Sequence, residues 1–288
     1  MTLSLKERAK AYLETADQVR AIDSGPGAEA DKLARIEQAL IKLAGRTELF
    51  PVHAFPRAEG TPGGLFRLVE YADQRDAVYL SLGFTGRSQT PHRHASWATV
   101  VGVTGGVETN NLYDFHDEEG ENAARLTHRE RVVVGPGEAV SVGTGVFHTI
   151  DVVSDEPVLH LHAYGLTVDK PGFDLPIFAS PDARTYATRS TGGFRPPLSI
   201  VTDSDIRADL ASGDAALLLL GDAQPPLGGP NIFRGGPEAL LASTLDPSTP
   251  VVVVGSDAAA LDAAVQLYAA GWPLVFQYAA VNELRAAA

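Results

Sequence analysis

Between residues 48 and 166 the chain offers strand after strand and no helical period. "LFRLVEY", "AVYLSLGF", "WATVVGVTGGVETNNLY", "RVVV", "EAVSV", "HTIDVV" and "VLHLHAY" are rich in Val, Leu, Tyr and Thr, with Gly, Pro, Asp and Asn between them. Strands that follow one another without helices pair antiparallel through short turns. A two-sheet sandwich or small barrel is therefore expected.

The flanks have other textures. Residues 1–47 read as two helices; in the second, Leu33, Ile36, Leu40 and Leu43 recur at helical spacing and Gly45 marks the stop. Residues 169–197, rich in Pro, Gly, Ser and Thr, read as a linker over the surface. From 198 to 288, apolar strands ("AALLLLGD", "PVVVVGS", "PLVFQY") alternate with helices ("DSDIRADLASG", "DAAALDAAVQLYAAG", "AVNELRAA"), which predicts a small α/β domain on a parallel sheet. Leu261, Val265 and Tyr268 are expected to mark the packed face of its long helix. The chain thus reads as multidomain, with the all-β unit at 48–168 carrying the chemistry.

Charge and cysteine content narrow that chemistry. A formal net charge of −13 argues against nucleic acid and against an anionic membrane surface, both of which demand basic patches. With no cysteine, the chain forms no disulfide, thiolate metal site or cysteine nucleophile. The charged, amphipathic start lacks the apolar core of a secretory signal, and no apolar run approaches the ~18 residues that span a bilayer. A cytoplasmic protein is expected.

Histidines carry the signal. In "PHRHASWATVVGVTGG" a strand would project His92 and His94 to one face and Arg93 to the other. Two imidazoles are costly to bury unless their nitrogens are satisfied, and a metal ion satisfies them. His148, after the glycine-punctuated "GPGEAVSVGTGVF", is the candidate third ligand. His53, His116 and His128 sit in polar or turn surroundings and read as solvated; Glu108 is a conceivable extra ligand, but beyond the glycine pair it reads as a rim residue.

These residues resemble a known pattern. Gly86-x5-His92-x-His94 followed by Gly105 is similar to the first motif of the cupin superfamily, and Gly137-x5-Gly143-x-Gly145-x2-His148 to the second. Where that family usually has a glutamate ligand this chain has Ala98, and Gly143 replaces the usual proline. A three-histidine site resembles the thiol dioxygenases, the group of cysteine dioxygenase and mercaptopropionate dioxygenase. Three neutral ligands leave a divalent ion its full charge and open positions for an anion. "PVLHLHAYG" looks like the group's Ser-x-His-x-Tyr stretch, with His160 at the serine, then His162 and Tyr164; Arg67, 25 residues before His92, matches its carboxylate-gripping arginine.

The resemblance implies a cupin barrel (a small jelly-roll) binding non-haem Fe(II) through His92, His94 and His148. It also implies oxidation of a small thiol acid to its sulfinate by O2, with Arg67 and Tyr164 on the substrate. Spacing alone admits Zn(II), Cu(II) or Ni(II) as well. Some members crosslink a cysteine to the tyrosine; by spacing it would fall near Thr99, and this chain has none. The C-terminal stretch resembles a rhodanese domain without its cysteine, which rules out sulfur transfer there and leaves a docking or dimerising role. Pairing of two copies through strand edges is a further expectation. Two alternatives stay open: a cupin metalloenzyme on a non-thiol substrate, or a metal-binding sensor whose second domain recruits a partner.

Overall fold

The computed structural model describes residues 3–57, 60–170, 174–190 and 194–280. Helix α1 (Leu5–Ser24) opens on a capping box: the Ser4 hydroxyl accepts from the Glu7 N–H and the Glu7 carboxylate accepts from the Ser4 N–H. Helix α2 (Glu29–Ala44) buries Leu33, Ile36, Leu40 and Leu43, the face its period marks, and ends at Gly45.

Eleven strands follow: β1 (Gly63–Val69), β2 (Arg75–Gly83), β3 (Ser88–His92), β4 (Ala98–Gly105), β5 (Glu108–Asp117), β6 (Ala124–Val134), β7 (Ala139–Val142), β8 (Phe147–Val152), β9 (Val158–Leu166), β10 (Asp174–Phe178) and β11 (Tyr186–Ser190). They form two antiparallel sheets, ordered β1-β2-β9-β4-β7 and β11-β10-β3-β8-β5-β6. Leu65, Tyr79, Val100, Val140 and Tyr164 of the first sheet pack with Leu112 and Val134 of the second. The two sheets therefore face one another, as the strand run predicts. Gly105 makes the β4 end possible: its φ of +89° is in the left-handed region, and a Cβ there would overlap the Pro157 carbonyl.

One sequence expectation changes here. Residues 174–190, read as part of a linker, form the β10–β11 hairpin, and Ile177 pairs with His92 of β3. The hairpin escapes periodicity because neither "DLPIF" nor "YATRS" alternates apolar with polar residues; Phe178 packs with Phe115, Phe147 and Tyr186 while β11 stays largely exposed.

The C-terminal region is α/β, as expected. Strand β12 (Ile200–Val201), α3 (Asp203–Ser212), β13 (Ala216–Leu219), β14 (Ile232–Arg234), α4 (Pro237–Leu241), β15 (Val251–Val254), α5 (Asp257–Ala269) and β16 (Val275–Tyr278) build an all-parallel sheet ordered β12-β16-β15-β13-β14. The packed face of α5 is Ala260, Ala263, Ala264, Leu267 and Tyr268, whereas Val265 is exposed; small alanines, not the larger side chains, let the helix lie close to the sheet. The helix expected beyond residue 280 lies outside the described residues.

The apolar core does not divide where the sequence texture does. Leu5, Val19, Ile36 and Leu40 of the N-terminal helices pack with Leu68, Leu80, Val101 and Leu161 on the outer face of the first barrel sheet. They continue into Ile206, Leu217, Val252 and Phe276 of the C-terminal region. Polar contacts follow the same seam: the Lys6 N–H donates to Asp209 at 2.8 Å, and Arg8 and His53 pair with buried Asp205 at 3.0 and 2.9 Å. Burial pushes the Asp205 carboxyl up, but His53, Arg8 and Thr202 outweigh it and hold it at about 2. His53, expected to be solvated, is instead a junction residue. No helix among the described residues is long and apolar enough to cross a membrane.

Candidate metal centre

His92, His94 and His148 come together, with one ligand nitrogen from each lying within 4.8 Å of the others. The route differs from strand alternation. His92 ends β3, and His94 sits beyond it in the segment leading to β4. A register shift between Gln89 and His92 disturbs the end of β3, and His92 pairs directly with His148 of β8. Ring centroids are 5.2 Å (His92–His94), 4.5 Å (His92–His148) and 5.1 Å (His94–His148) apart.

Hydrogen bonds assign the tautomers. Asn110 donates its Nδ2 to the Glu108 carboxylate at 3.0 Å, so its Oδ1 faces His148 and accepts from Nδ1 at 3.0 Å. Nδ1 of His148 is then the protonated nitrogen and Nε2 is bare. The Thr90 carbonyl does the same for His92, accepting from Nδ1 at 2.9 Å. The bare Nε2 of His148 lies 3.0 Å from Nε2 of His94. Burial lowers the pKa of all three imidazoles, most for His94 and His148, so they stay neutral, the form that ligates. The donor set fits a divalent ion: oriented neutral nitrogens, with outer partners that fix two of them.

Among the described residues no carboxylate joins them. Ala98 pairs with Tyr164 in the β4–β9 ladder and contributes only a buried methyl to the interior. Thr99, where spacing would put a crosslinking cysteine, bonds Ser141 on the opposite face of β4 from Ala98.

His160, His162 and Tyr164 share the inward face of β9, as their spacing predicts. The Tyr164 ring is 5.0 Å from that of His94, and its hydroxyl lies 2.9 Å from Nδ1 of His162. Burial raises the Tyr164 phenol well above its ordinary range and lowers His162 to about 3, so both are neutral. Neither nitrogen of His160 has a hydrogen-bond partner among the described residues, nor does Nε2 of His162.

Arg67 is not brought to the histidines. Its Nε donates to the Pro196 carbonyl at 2.8 Å, its terminal nitrogens to Glu70 and Asp169, and its backbone N–H to the Pro197 carbonyl. Tyr79, whose ring is 5.7 Å from that of Tyr164, donates to Glu70 at 2.5 Å. Arg67 thus lies in a buried ion cluster where the barrel meets the C-terminal region, with all three nitrogens engaged. Trp97 anchors the metal-site segment to α1 by donating to Asp23 at 2.8 Å.

Sequence reasoning missed Glu108 and Asn110. Glu108, read as a rim residue, is 1% exposed. The signal available was their spacing, two apart at the start of a strand, so that both share one face with Leu112. His116 and His128 are exposed, as expected.

No protein-family model matches the chain, and no curated protein matches it. Among solved structures it is similar to oxalate decarboxylase of Bacillus subtilis, in a study of that enzyme's Mn(II) centres (16% identity, TM-score 0.28, over 38% of this chain and 27% of that one). It is also similar to an RmlC-like cupin with a double-stranded β-helix fold from Methanocaldococcus jannaschii (13%, 0.28, over 39% and 88%). A third is oxalate decarboxylase of Lactobacillus farciminis (14%, 0.29, over 39% and 32%). The chain spans about a quarter to a third of the two decarboxylases, and likenesses this distant do not speak for its chemistry.

Proposed function

We propose that the chain is a mononuclear non-haem iron(II) thiol dioxygenase, oxidising a small thiol to its sulfinate. The observation that carries this reading is three neutral imidazoles converging, two of them held with Nε2 bare, with a methyl where a carboxylate ligand would stand, beside a buried Tyr164–His162 pair. Bound to His92, His94 and His148, the ion supplies a redox-active Lewis acid with open positions for small anions. The reaction balances without further reductant: RSH + O2 gives RSO2H, sulfur losing four electrons and dioxygen gaining four.

The protein's own part is positional. The Tyr164 ring stands beside that of His94, and with Nδ1 of His162 donating to its hydroxyl oxygen the phenol proton is left to bond substrate. Buried Ala98, Val100 and Leu112 keep bulk water from the inner side. The carboxylate grip expected of Arg67 does not enter, because a substrate acid would compete with Glu70 and Asp169 for a guanidinium whose three nitrogens are engaged. The reading therefore requires a thiol and not an acid. The C-terminal α/β region takes a non-catalytic bracing role: there is no cysteine, Ser256 caps α5, and Asp257 accepts from Gln277.

The test is oxygen uptake by anaerobically iron-loaded protein with cysteine, 3-mercaptopropionate and cysteamine. One O2 consumed per sulfinate, with both atoms of 18O2 found in product, is expected. Iron bound at one equivalent with no uptake on any thiol overturns the reading. Tyr164→Phe is expected to lower turnover by roughly 10–100-fold while retaining iron.

A further inference from the structure

The interior of the barrel holds a carboxylate that the proposed reaction does not use. Glu108 opens β5 with its side chain between the two sheets, buried, and makes two contacts in different directions. Toward its own sheet, Oε1 accepts from Nδ2 of Asn110, whose Oδ1 in turn accepts from Nδ1 of His148. Toward the opposite sheet, Oε2 lies 3.6 Å from Nδ1 of His160, two residues along β9 from His162 and four from Tyr164.

We infer that Glu108 is a positioning residue for the metal centre, holding His148 in its ligating tautomer through Asn110 and orienting the His160 end of the His162–Tyr164 line. The reasoning starts from cost. A buried carboxylate without partners costs several kcal/mol, so an interior that keeps one must hold it with opposite charge or donors. Burial pushes Glu108 up, but the His160 imidazole facing it and the Asn110 amide outweigh that and hold it at about 2, ionised. An ionised carboxylate can only accept. That fixes the Asn110 amide with nitrogen toward Glu108 and oxygen toward His148, and an asparagine free to flip would fix neither. Without this constraint His148 could carry its proton on Nε2, the nitrogen that must be bare to ligate. The second arm runs across the sheets, so one side chain sets the register of a ligand from β8 against the tyrosine line of β9.

The inference rests on the metal-centre reading, and its test separates the two. In metal-free protein with 15N-labelled histidine, imidazole resonances report tautomers without iron or substrate. His148 is expected as the Nδ1–H form. Glu108→Gln removes the charge and, because its amide can donate as well as accept, no longer forces the Asn110 orientation; it should shift the His160 resonances and let His148 drift toward mixed tautomers, with a smaller loss of Fe(II) affinity than the leucine variants. Glu108→Leu and Asn110→Leu should each release His148 to mixed tautomers and weaken anaerobic Fe(II) binding by roughly 10–100-fold, with the double variant no worse than either single. Affinity within twofold of wild type in both, or losses that add in the double, overturns the inference. Should Glu108→Leu not fold, the wild-type and Glu108→Gln spectra decide alone: His148 protonated at Nε2, or His160 unmoved by Glu108→Gln, overturns it. A thiol assay that fails while the tautomers stand as described sinks only the dioxygenase reading.

Discussion

The two sheet systems of this chain spend their interiors differently. Between the antiparallel sheets lie Glu108, Asn110, His148, His160, His162, Tyr79 and Tyr164, a polar interior linked by directional bonds. The parallel sheet buries Leu217, Leu218, Val251, Val252 and Val253, almost wholly hydrocarbon. Each fully buried Leu or Val stabilises by about 1.5–3 kcal/mol, whereas a buried polar network roughly offsets its own desolvation. The barrel thus gives up core stability for a site, and the outer face of its first sheet recovers support from α1, α2 and the C-terminal region. Chemistry and stability are separable by location, and substitutions should separate them.

The largest expected effect is at the centre. His148→Ala should abolish stoichiometric Fe(II) binding, a loss beyond the roughly 10–100-fold of an outer partner. The metal-linked gain in stability should vanish with it, about 2.7 kcal/mol when the free ion is at 100 times its Kd. Isothermal titration and melts with and without chelator check both. A variant that still binds one equivalent tightly breaks the site assignment.

Next comes the junction. Arg67→Leu leaves Glu70 and Asp169 without their partner and should cost about 3–5 kcal/mol by urea unfolding. Arg67→Leu combined with Glu70→Leu should recover much of it. If Arg67→Leu instead folds normally and raises only KM, the guanidinium belongs to the substrate and the line between the regions must be redrawn.

Within the parallel sheet, Leu217→Ala should destabilise by about 2–5 kcal/mol and leave Fe(II) affinity per folded molecule unchanged. Loss of metal binding at the same protein stability would contradict the division of labour.

The smallest effect concerns α1 against the barrel. Asp76 is held at about 7, up from 3.8, by burial and then by Asp23 beside it. Its folded pKa is raised, so its contribution to stability is full below 3.8 and is lost as pH rises through about 7. Asp76→Asn, tolerable at a φ of +55°, should therefore gain about 1–2 kcal/mol at pH 8 after allowance for solvent screening, and little at pH 4. Equal effects at both pH values would show that Asp23 and Asp76 do not share a proton.

How much of this could be read from residues alone divides along similar lines. The strand run, the α2 face, the parallel sheet and the convergence of His148 with His92 and His94 were legible, because period and glycine spacing are local signals. Strand β3 was not, since "SQTPH" has no apolar alternation and gains its place by pairing with β8 and β10. The ion cluster of Arg67 was not legible because its partners include Asp169 and Pro196, brought to it only by the return of the chain. The role of Asn110 and Glu108 was hidden for the same reason: which nitrogen of His148 is bare depends on an amide 38 residues away.

Helix α1 carries a last consequence, for synthesis. Its Lys6 backbone bonds Asp209, 203 residues downstream, and Leu5 and Val19 share a core with Val252 and Phe276. At ribosomal speeds roughly 10–40 s separate the emergence of these partners. Until then α1 has α2 and the outer face of the first sheet to pack on, and only the part of its apolar stripe that meets the C-terminal region stays uncovered. A polypeptide that stops before α3 keeps every imidazole of the tripod but leaves that part of α1 bare, so the histidines are complete before the outer support of the first sheet is.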